Sequence, residues 1–401
     1  MNYILFDEPT VRTALLPLTF TRPVAGIRVG IWTLAEKWQH WLGAPVGYLP
    51  GATYLTDLFP PLPAPTGSPT RYINGAVCPS ETLLTELRGL RAGEALLAPD
   101  QTLLAVCSDI SLSNVPDPAR YTPVLATETP VIIRQLPDIF ALNGEQIRAD
   151  FDRLTRGRTS APLTDPHTRV YGAENVFIEA GATIRAAVLN AEAGPIYIGK
   201  NAVISEGTTM VGPFALCESA TVNWGGKMRS NTTIGPFCKV GGEVGNSVFF
   251  GYSNKAHDGF LGNSVIGEWC NLGANVNNSN LKNDYTTVKL HSYATGQPED
   301  TGRLFCGLIL GDYTKAGIST MFNTGTVVGV NVNVFGAGFQ PKHIPSFSWG
   351  GGAEGFSDYR LEKALHVARE TVGRRGMPFG PPQEALLRAV YAASRGPQPG
   401  Q

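Results

Sequence analysis

The sequence predicts an α/β region followed by a parallel β-helix, with helices at the C-terminal end. The main observation is an apolar beat with a period of six. Ile198, Ile204, Met210, Leu216 and Val222 are spaced six apart, as are Leu304, Leu310, Ala316, Phe322, Val328 and Val334. Neither an α-helix nor an alternating strand has that period; a hexapeptide solenoid, whose short strands each send one side chain inward, does. Composition agrees. Only 16% of the residues are charged and 46 are glycine, and Gly, Asn, Thr and Ser fill the turns between beats.

Net charge is −1 over 401 residues, so charge balance signals no polyanion-binding surface and no nucleic-acid partner. The six cysteines (Cys78, Cys107, Cys217, Cys238, Cys270 and Cys306) form no C-x-x-C pair, which predicts reduced, buried thiols and no zinc site. The N-terminal stretch MNYILFDEPTVR has no basic leader, and no segment has the length of a membrane span. The expectation is a cytoplasmic protein with no membrane partner.

Taken in order, residues 1–154 read as α/β. Tyr3–Phe6 is a short buried strand. Ile31–Trp41 reads as a helix with Trp32, Ala35 and Trp38 along one face, and Pro60–Pro69 as a proline-rich loop. Ser80 is an N-cap for a helix through Leu87, and Ile139–Leu154 reads as another helix. Residues 155–170 are a polar linker. The β-helix occupies 171–349, and Gly350-Gly351-Gly352 breaks it. Residues 350–401 hold two helical stretches, about Tyr359–Arg375 and Pro382–Arg395.

His257 is the candidate base. It follows Ser253-Asn254-Lys255-Ala256 and precedes Asp258-Gly259, in what reads as a break in the six-residue beat. A neutral imidazole near pH 7 suits proton removal from an amine or hydroxyl.

From Arg229 to Gly336 the chain resembles the acetyltransferase domain of the bifunctional glucosamine-1-phosphate N-acetyltransferase / N-acetylglucosamine-1-phosphate uridylyltransferase family. The similarity lies in Ser253-Asn254-Lys255-Ala256-His257 with Leu261-Gly262, and in Glu268-Trp269-Cys270-Asn271-Leu272-Gly273-Ala274. The resemblance implies a left-handed parallel β-helix and a homotrimer with sites between subunits. It implies that His257 and Asn280 meet the reacting groups, that Arg229, Lys239 and Asn271 bind the acceptor sugar phosphate, and that acetyl-CoA is the cosubstrate. Ala274, Ser319 and Lys315 are its expected contacts on acetyl-CoA, with Lys342 as another lysine for its phosphates. The chain departs from the family at Phe260, Leu281 and Ile318, and in the insertion Lys282–Arg303.

The opening Leu15-Leu16-Pro17-Leu18-Thr19-Phe20-Thr21-Arg22-Pro23, with Ile27-Arg28-Val29-Gly30 and Glu36-Lys37, resembles a divergent bacterial branch of the same family. That likeness implies a shortened sugar-nucleotidyltransferase-like domain that uses UTP and Mg²⁺. The usual glycine-rich phosphate loop is not recognisable. Arg22, Arg28 and Lys37 are the expected replacement contacts, and Asn143 the expected Mg²⁺ ligand. Ala76 stands where an aspartate ligand is expected. The implied function is acetyl transfer to glucosamine 1-phosphate followed by uridylyl transfer to the product. The rivals are a nucleotidyltransferase for another sugar phosphate and an acyltransferase beside a catalytically silent regulatory domain.

Overall fold

The computed structural model describes residues 2–62 and 68–395. Part of the proline-rich stretch, 63–67, and the last residues, 396–401, lie outside it. Contacts divide the chain into two compact units: Met1–Ile27, Trp32–Gln135 and Pro381–Ala389 form one, while Arg28–Ile31, Leu136–Gly380 and Val390–Gln401 form the other.

The first unit is built on a six-stranded sheet. Its strands are β1 (Asn2–Phe6), β2 (Gly47–Leu49), β3 (Thr70–Asn74), β4 (Glu94–Leu97), β5 (Leu103–Ser108) and β6 (Thr122–Leu125), in the order β2-β1-β3-β5-β4-β6. Strand β1 is parallel to both β2 and β3, and β5 runs antiparallel to β3 and β4. Ile4, Phe6, Tyr72, Ala95, Leu97 and Val106 form a core on the sheet. The helices of this unit are α1 (Pro9–Ala14), α2 (Leu34–Leu42) and α3 (Glu81–Gly89). A capping box starts α2: Thr33 Oγ1 accepts from Glu36 N, and Glu36 returns a bond to Thr33 N. Gly43, at φ 66°, ends it. Ser80 caps α3 as expected.

The second unit contains a parallel β-helix. Its first face has nine strands, beginning with Val176–Ile178. Its second face has ten, beginning with Thr183–Ile184. Its third face has six, from Arg169–Tyr171 to Phe260–Gly262, and continues as the pair Asn277–Asn278 and Met321–Phe322. Ile198, Ile204, Met210, Leu216 and Val222 all point into the core and are at most 1% exposed. Stacking them in register removes each from water, at roughly 1.5–3 kcal/mol per large aliphatic side chain.

Three details differ from the sequence reading. Leu304 is exposed rather than inward, because it still belongs to the insertion. That insertion closes at the Leu281–Phe305 bridge, carries the hairpin Lys289–His291 with Pro298–Asp300, and returns to the solenoid at Leu308. Next, the glycine run 350–352 does not simply stop the solenoid. Ser348–Gly351 turns back antiparallel on Gly355–Asp358 and so covers the last edge of the second face. Finally, the helix expected over 139–154 is two helices, α4 (Leu136–Ala141) and α5 (Asn143–Thr155). The C-terminal helices are α6 (Leu361–Gly373) and α7 (Pro381–Ala393), with Lys363 over the Trp349 ring at 4.2 Å. No described helix is long and apolar enough to cross a membrane.

Candidate functional site

The six-residue beat does not break at His257. Phe249, Lys255 and Leu261 continue it, and all three are fully buried. The second face stacks Val240, Lys255 and Leu272 in successive coils, so a lysine occupies an aliphatic position. His257 comes two residues later, at the corner between the second and third faces, and it is exposed. The loop is held from several sides. Lys255 Nζ donates to His257 O (2.9 Å) and Asp258 O (3.0 Å). Asn223 Nδ2 donates to Ala256 O (2.8 Å), and Asn275 N to Asp258 O (3.0 Å). Gly259 has φ 120°, and a Cβ there would collide with the Val276 carbonyl; this turn requires glycine.

The coils that follow bring two of the expected acetyl-CoA contacts to the same corner. Ser319 N donates to Ala274 O (2.8 Å), and Ser319 Oγ accepts from Asn275 Nδ2 (3.2 Å). Lys315 lies instead on the outer side of the second face. Its ammonium donates to Trp269 O (2.6 Å), and burial lowers its pKa to about 8. Lys342 is exposed.

At the other end of the third-face strands lies a hollow of about 350 Å³, lined by Arg229, Asn246, Phe260, Asn263, Asn280 and Phe305 among others. Arg229 is 3.3 Å from Glu243 and its side chain is 65% exposed. Asn280 Nδ2 donates to Asn263 Oδ1 (2.8 Å). The strand Phe260–Gly262 separates this hollow from the His257 loop, a span of roughly 10 Å at about 3.3 Å per residue.

Beside the hollow, asparagine side chains replace the backbone ladder. Asn277 Oδ1 accepts from Phe260 N (2.7 Å) and Asn278 Oδ1 from Gly262 N (2.9 Å). Inserting an amide group between two coils parts the third face there, and the strands beyond it continue as a separate pair.

Lys239 and Asn271 are exposed on the outer side of the second face, in one column with Asn254 and Lys315. Asn254 joins Asn271 (3.4 Å) and accepts from Arg375 (2.8 Å). Within one chain, therefore, Arg229 and Asn280 meet in the hollow, while Ala274 and Ser319 share the His257 corner. Lys239, Asn271 and Lys315 occupy the next face. Sequence reasoning missed Lys255, Glu243 and Phe305. The signal for Lys255 was available in its spacing of six from Phe249 and Leu261.

The expected N-terminal contacts are placed differently. Arg28 is buried, and its guanidinium donates to Phe250 O (2.9 Å) and to Ile31 O. The structure thus gives it a joint between loop 28–31 and a solenoid coil in place of the expected phosphate contact. Asn143 is fully buried as well. Its Oδ1 accepts from Gly30 N (2.7 Å), and its Nδ2 donates to Asn231 O (2.9 Å) and Thr233 Oγ1 (3.1 Å). With its amide so engaged, it does not fit a Mg²⁺ ligand. No group of three or more His, Cys, Asp or Glu among the described residues fits a metal ion. Arg22 and Lys37 are buried, at 6% and 1% exposure. A phosphate contact from either needs a side chain that reaches solvent.

Within the first unit, β1 lies between β2 and β3, so the chain switches direction across the sheet at its carboxyl end, the position where α/β sheets take ligands. Asp7 follows β1 and accepts from Val24 N (2.7 Å) and Gly51 N (2.9 Å), with Arg12 at 3.7 Å. Burial raises its pKa against the pull of these partners. Asn74 ends β3, and Gly75 N donates to Phe6 O (2.9 Å). A hollow of about 650 Å³ elsewhere in this unit, beside Ser108–Asp117, includes none of the expected nucleotide contacts.

Residues 3–159 match a family model described as sugar nucleotidyl transferase. A comparison with curated proteins finds no match. Among solved structures, the chain is similar to the polySia-specific acetyltransferase NeuO, at 13% identity over 53% of this chain and 95% of that one, with a TM-score of 0.28. It is similar to the Arabidopsis UDP-N-acetylglucosamine acyltransferase at 14% identity over 53% and 77%, TM-score 0.20. The Francisella novicida UDP-N-acetylglucosamine acyltransferase gives 14% over 53% and 71%, TM-score 0.21. The solenoid is read from this chain's own strand register. The family match over residues 3–159 supports a transferase.

Proposed function

We propose that the solenoid transfers an acetyl group from acetyl-CoA to the amine of glucosamine 1-phosphate. The observation that carries this reading is the exposed His257, fixed on a bonded corner loop one short strand away from the hollow that holds Arg229 and Asn280. His257 takes a proton from the attacking amine. The C–N bond forms as the thioester C–S bond breaks, and coenzyme A leaves as its thiol once His257 hands that proton to the departing sulfur. Arg229 meets the phosphate, where a planar guanidinium suits two oxygens. Holding two substrates in place supplies much of the rate. Ala274 and Ser319 line the path of the pantetheine arm. Lys239 and Asn271, on the adjacent face, join the acceptor site across a subunit contact in a homotrimer.

For residues 3–159 the reading is uridylyl transfer from UTP to N-acetylglucosamine 1-phosphate at the carboxyl ends of β1 and β3, supported by the family match and the switch in strand order. A second reading is that this region is a catalytically silent regulatory domain. The burial of Arg22, Arg28, Lys37 and Asn143 favours it, because none of the four is placed as an open phosphate or metal contact. Nucleotidyl transfer for another sugar phosphate is the remaining alternative.

One experiment separates them. Thiol release from acetyl-CoA with glucosamine 1-phosphate tests the solenoid. Pyrophosphate release across a panel of nucleoside triphosphates and sugar 1-phosphates tests the N-terminal region. Thiol release without pyrophosphate release from any pair selects the silent region, and no thiol release overturns the acetyl-transfer reading.

A further inference from the structure

Lys255 is the residue whose placement demands an explanation. Its neighbours in the inward column, Val240 and Leu272, are apolar, and it is fully buried. An apolar side chain of similar length would fill the column without desolvating a charge. The ammonium instead meets two consecutive carbonyls, His257 O at 2.9 Å and Asp258 O at 3.0 Å. Carbonyls turned inward at a corner need donors. His257 itself is exposed. A Cβ on Gly259 would come 3.0 Å from Lys255 Nζ, so the ammonium and the turn are closely fitted.

We propose that Lys255 is a positioning residue, which reaches from inside the solenoid to fix the 257–259 loop and so aims the His257 imidazole at the acceptor. This rests on the reading of His257 as the base. The two bonds are charge-assisted, which makes them stronger than those of a neutral donor. Burial lowers the Lys255 pKa to about 8, and Asp258 opposes that shift. The inward residues on the flanking strands are Val240, Leu261 and Leu272. In the adjacent coils the Cys238 thiol accepts from Ser253 N and the Cys270 thiol donates to Glu268 O and Gly311 O, and burial pushes both pKa values up, so they stay neutral. Loss of the Lys255 proton therefore weakens the hold on the loop as pH rises through about 8. The same loss relieves a buried charge, so global stability does not fall with it. A purely structural lysine would move loop and fold together.

The test compares the full chain with Lys255→Met. Acetyl transfer is followed by thiol release from acetyl-CoA with glucosamine 1-phosphate from pH 6.5 to 9.5, alongside melting and hydrogen exchange of peptides spanning 256–260. The variant should exchange faster over the loop by more than any change in melting accounts for, and lose roughly 10- to 100-fold in kcat with little change in acetyl-CoA KM. Its pH profile should lack the alkaline fall near pH 8 seen in the parent. An unchanged kcat with unchanged loop protection overturns the proposal. If the variant does not fold, loop protection in the parent, corrected for base catalysis, should drop above pH 8; constant protection overturns it. If the parent itself releases no thiol, His257 loses its role as base, and loop exchange in the variant still decides whether Lys255 is the anchor.

Discussion

The solenoid and the N-terminal region place their sequence-predicted residues in opposite ways. In the solenoid, His257, Arg229 and Asn271 reach the surface. In the N-terminal stretch, Arg22, Arg28, Lys37 and Asn143 are all buried. A six-residue beat fixes which large apolar side chains face inward. A cluster of basic residues around a strand–helix turn has no such rule. A buried arginine bonded to carbonyls and a surface arginine awaiting phosphate have the same letter and similar neighbours.

The largest effect that would test this contrast is His257→Ala. The exposed imidazole at the corner should carry about 10²–10⁴-fold of kcat for acetyl transfer, leaving acetyl-CoA KM nearly unchanged. An unaltered kcat would remove the solenoid's side of the comparison.

Next comes Arg28→Ala. Removing its guanidinium strips the donor from Phe250 O and Ile31 O. Ile31 O then keeps only the Cys217 thiol at 3.6 Å, and the loss should cost about 1–3 kcal/mol, read as an earlier midpoint in urea. Selective loss of UTP affinity with normal stability would instead return Arg28 to the nucleotide. Arg22→Ala supplies the companion measurement: weaker UTP binding with intact acetyl transfer would restore a phosphate role for a side chain that is 6% exposed here.

Legibility followed the same division. The inward positions Ile198 to Val222 were readable by counting. So was Lys255, had the count been continued from Phe249 to Leu261 across an unexpected residue type. Leu304 was misread because counting by six from Leu310 ignores an insertion that ends next to it. The asparagine bridges from Asn277 and Asn278 to the backbone of 260–262 could not be read at all. Which backbone groups lack a ladder partner depends on how coils part in space, and spacing carries no record of it. The same holds for Asn143, whose partners are 88 to 113 residues away in sequence.

Arg229→Ala should have a smaller effect. Its guanidinium is largely exposed and already near Glu243, so solvent and that carboxylate offset part of its pull on a phosphate. An increase of about 10-fold in glucosamine 1-phosphate KM, near 1.4 kcal/mol, with kcat almost kept, is the expected result. Equal KM for phosphorylated and unphosphorylated glucosamine in the parent would contradict a phosphate contact at the hollow.

The smallest effect concerns the insertion, which neither rule covers. His291, on its hairpin, stacks on His343 of the first face with ring centroids 3.5 Å apart and planes 8° apart. Tyr293 stands edge-on to both. Burial lowers the His343 pKa to about 4, with the charge of His291 adding to it, and burial lowers His291 as well. The folded state thus binds fewer protons than the unfolded chain between about pH 4 and 6.5. Stability from the pair is complete above pH 6.5 and is lost as pH falls through about 4. Because the rings retain some solvent access, the loss should be only about 1–2 kcal/mol, or roughly 2–8 °C in melting temperature. His343→Phe keeps a stacking ring and removes one titrating group. Between pH 7.5 and 4.5 the parent should lose more melting temperature than this variant. Parallel losses in the two would mean that acid sensitivity arises elsewhere and that the insertion docks without regard to proton binding on His343.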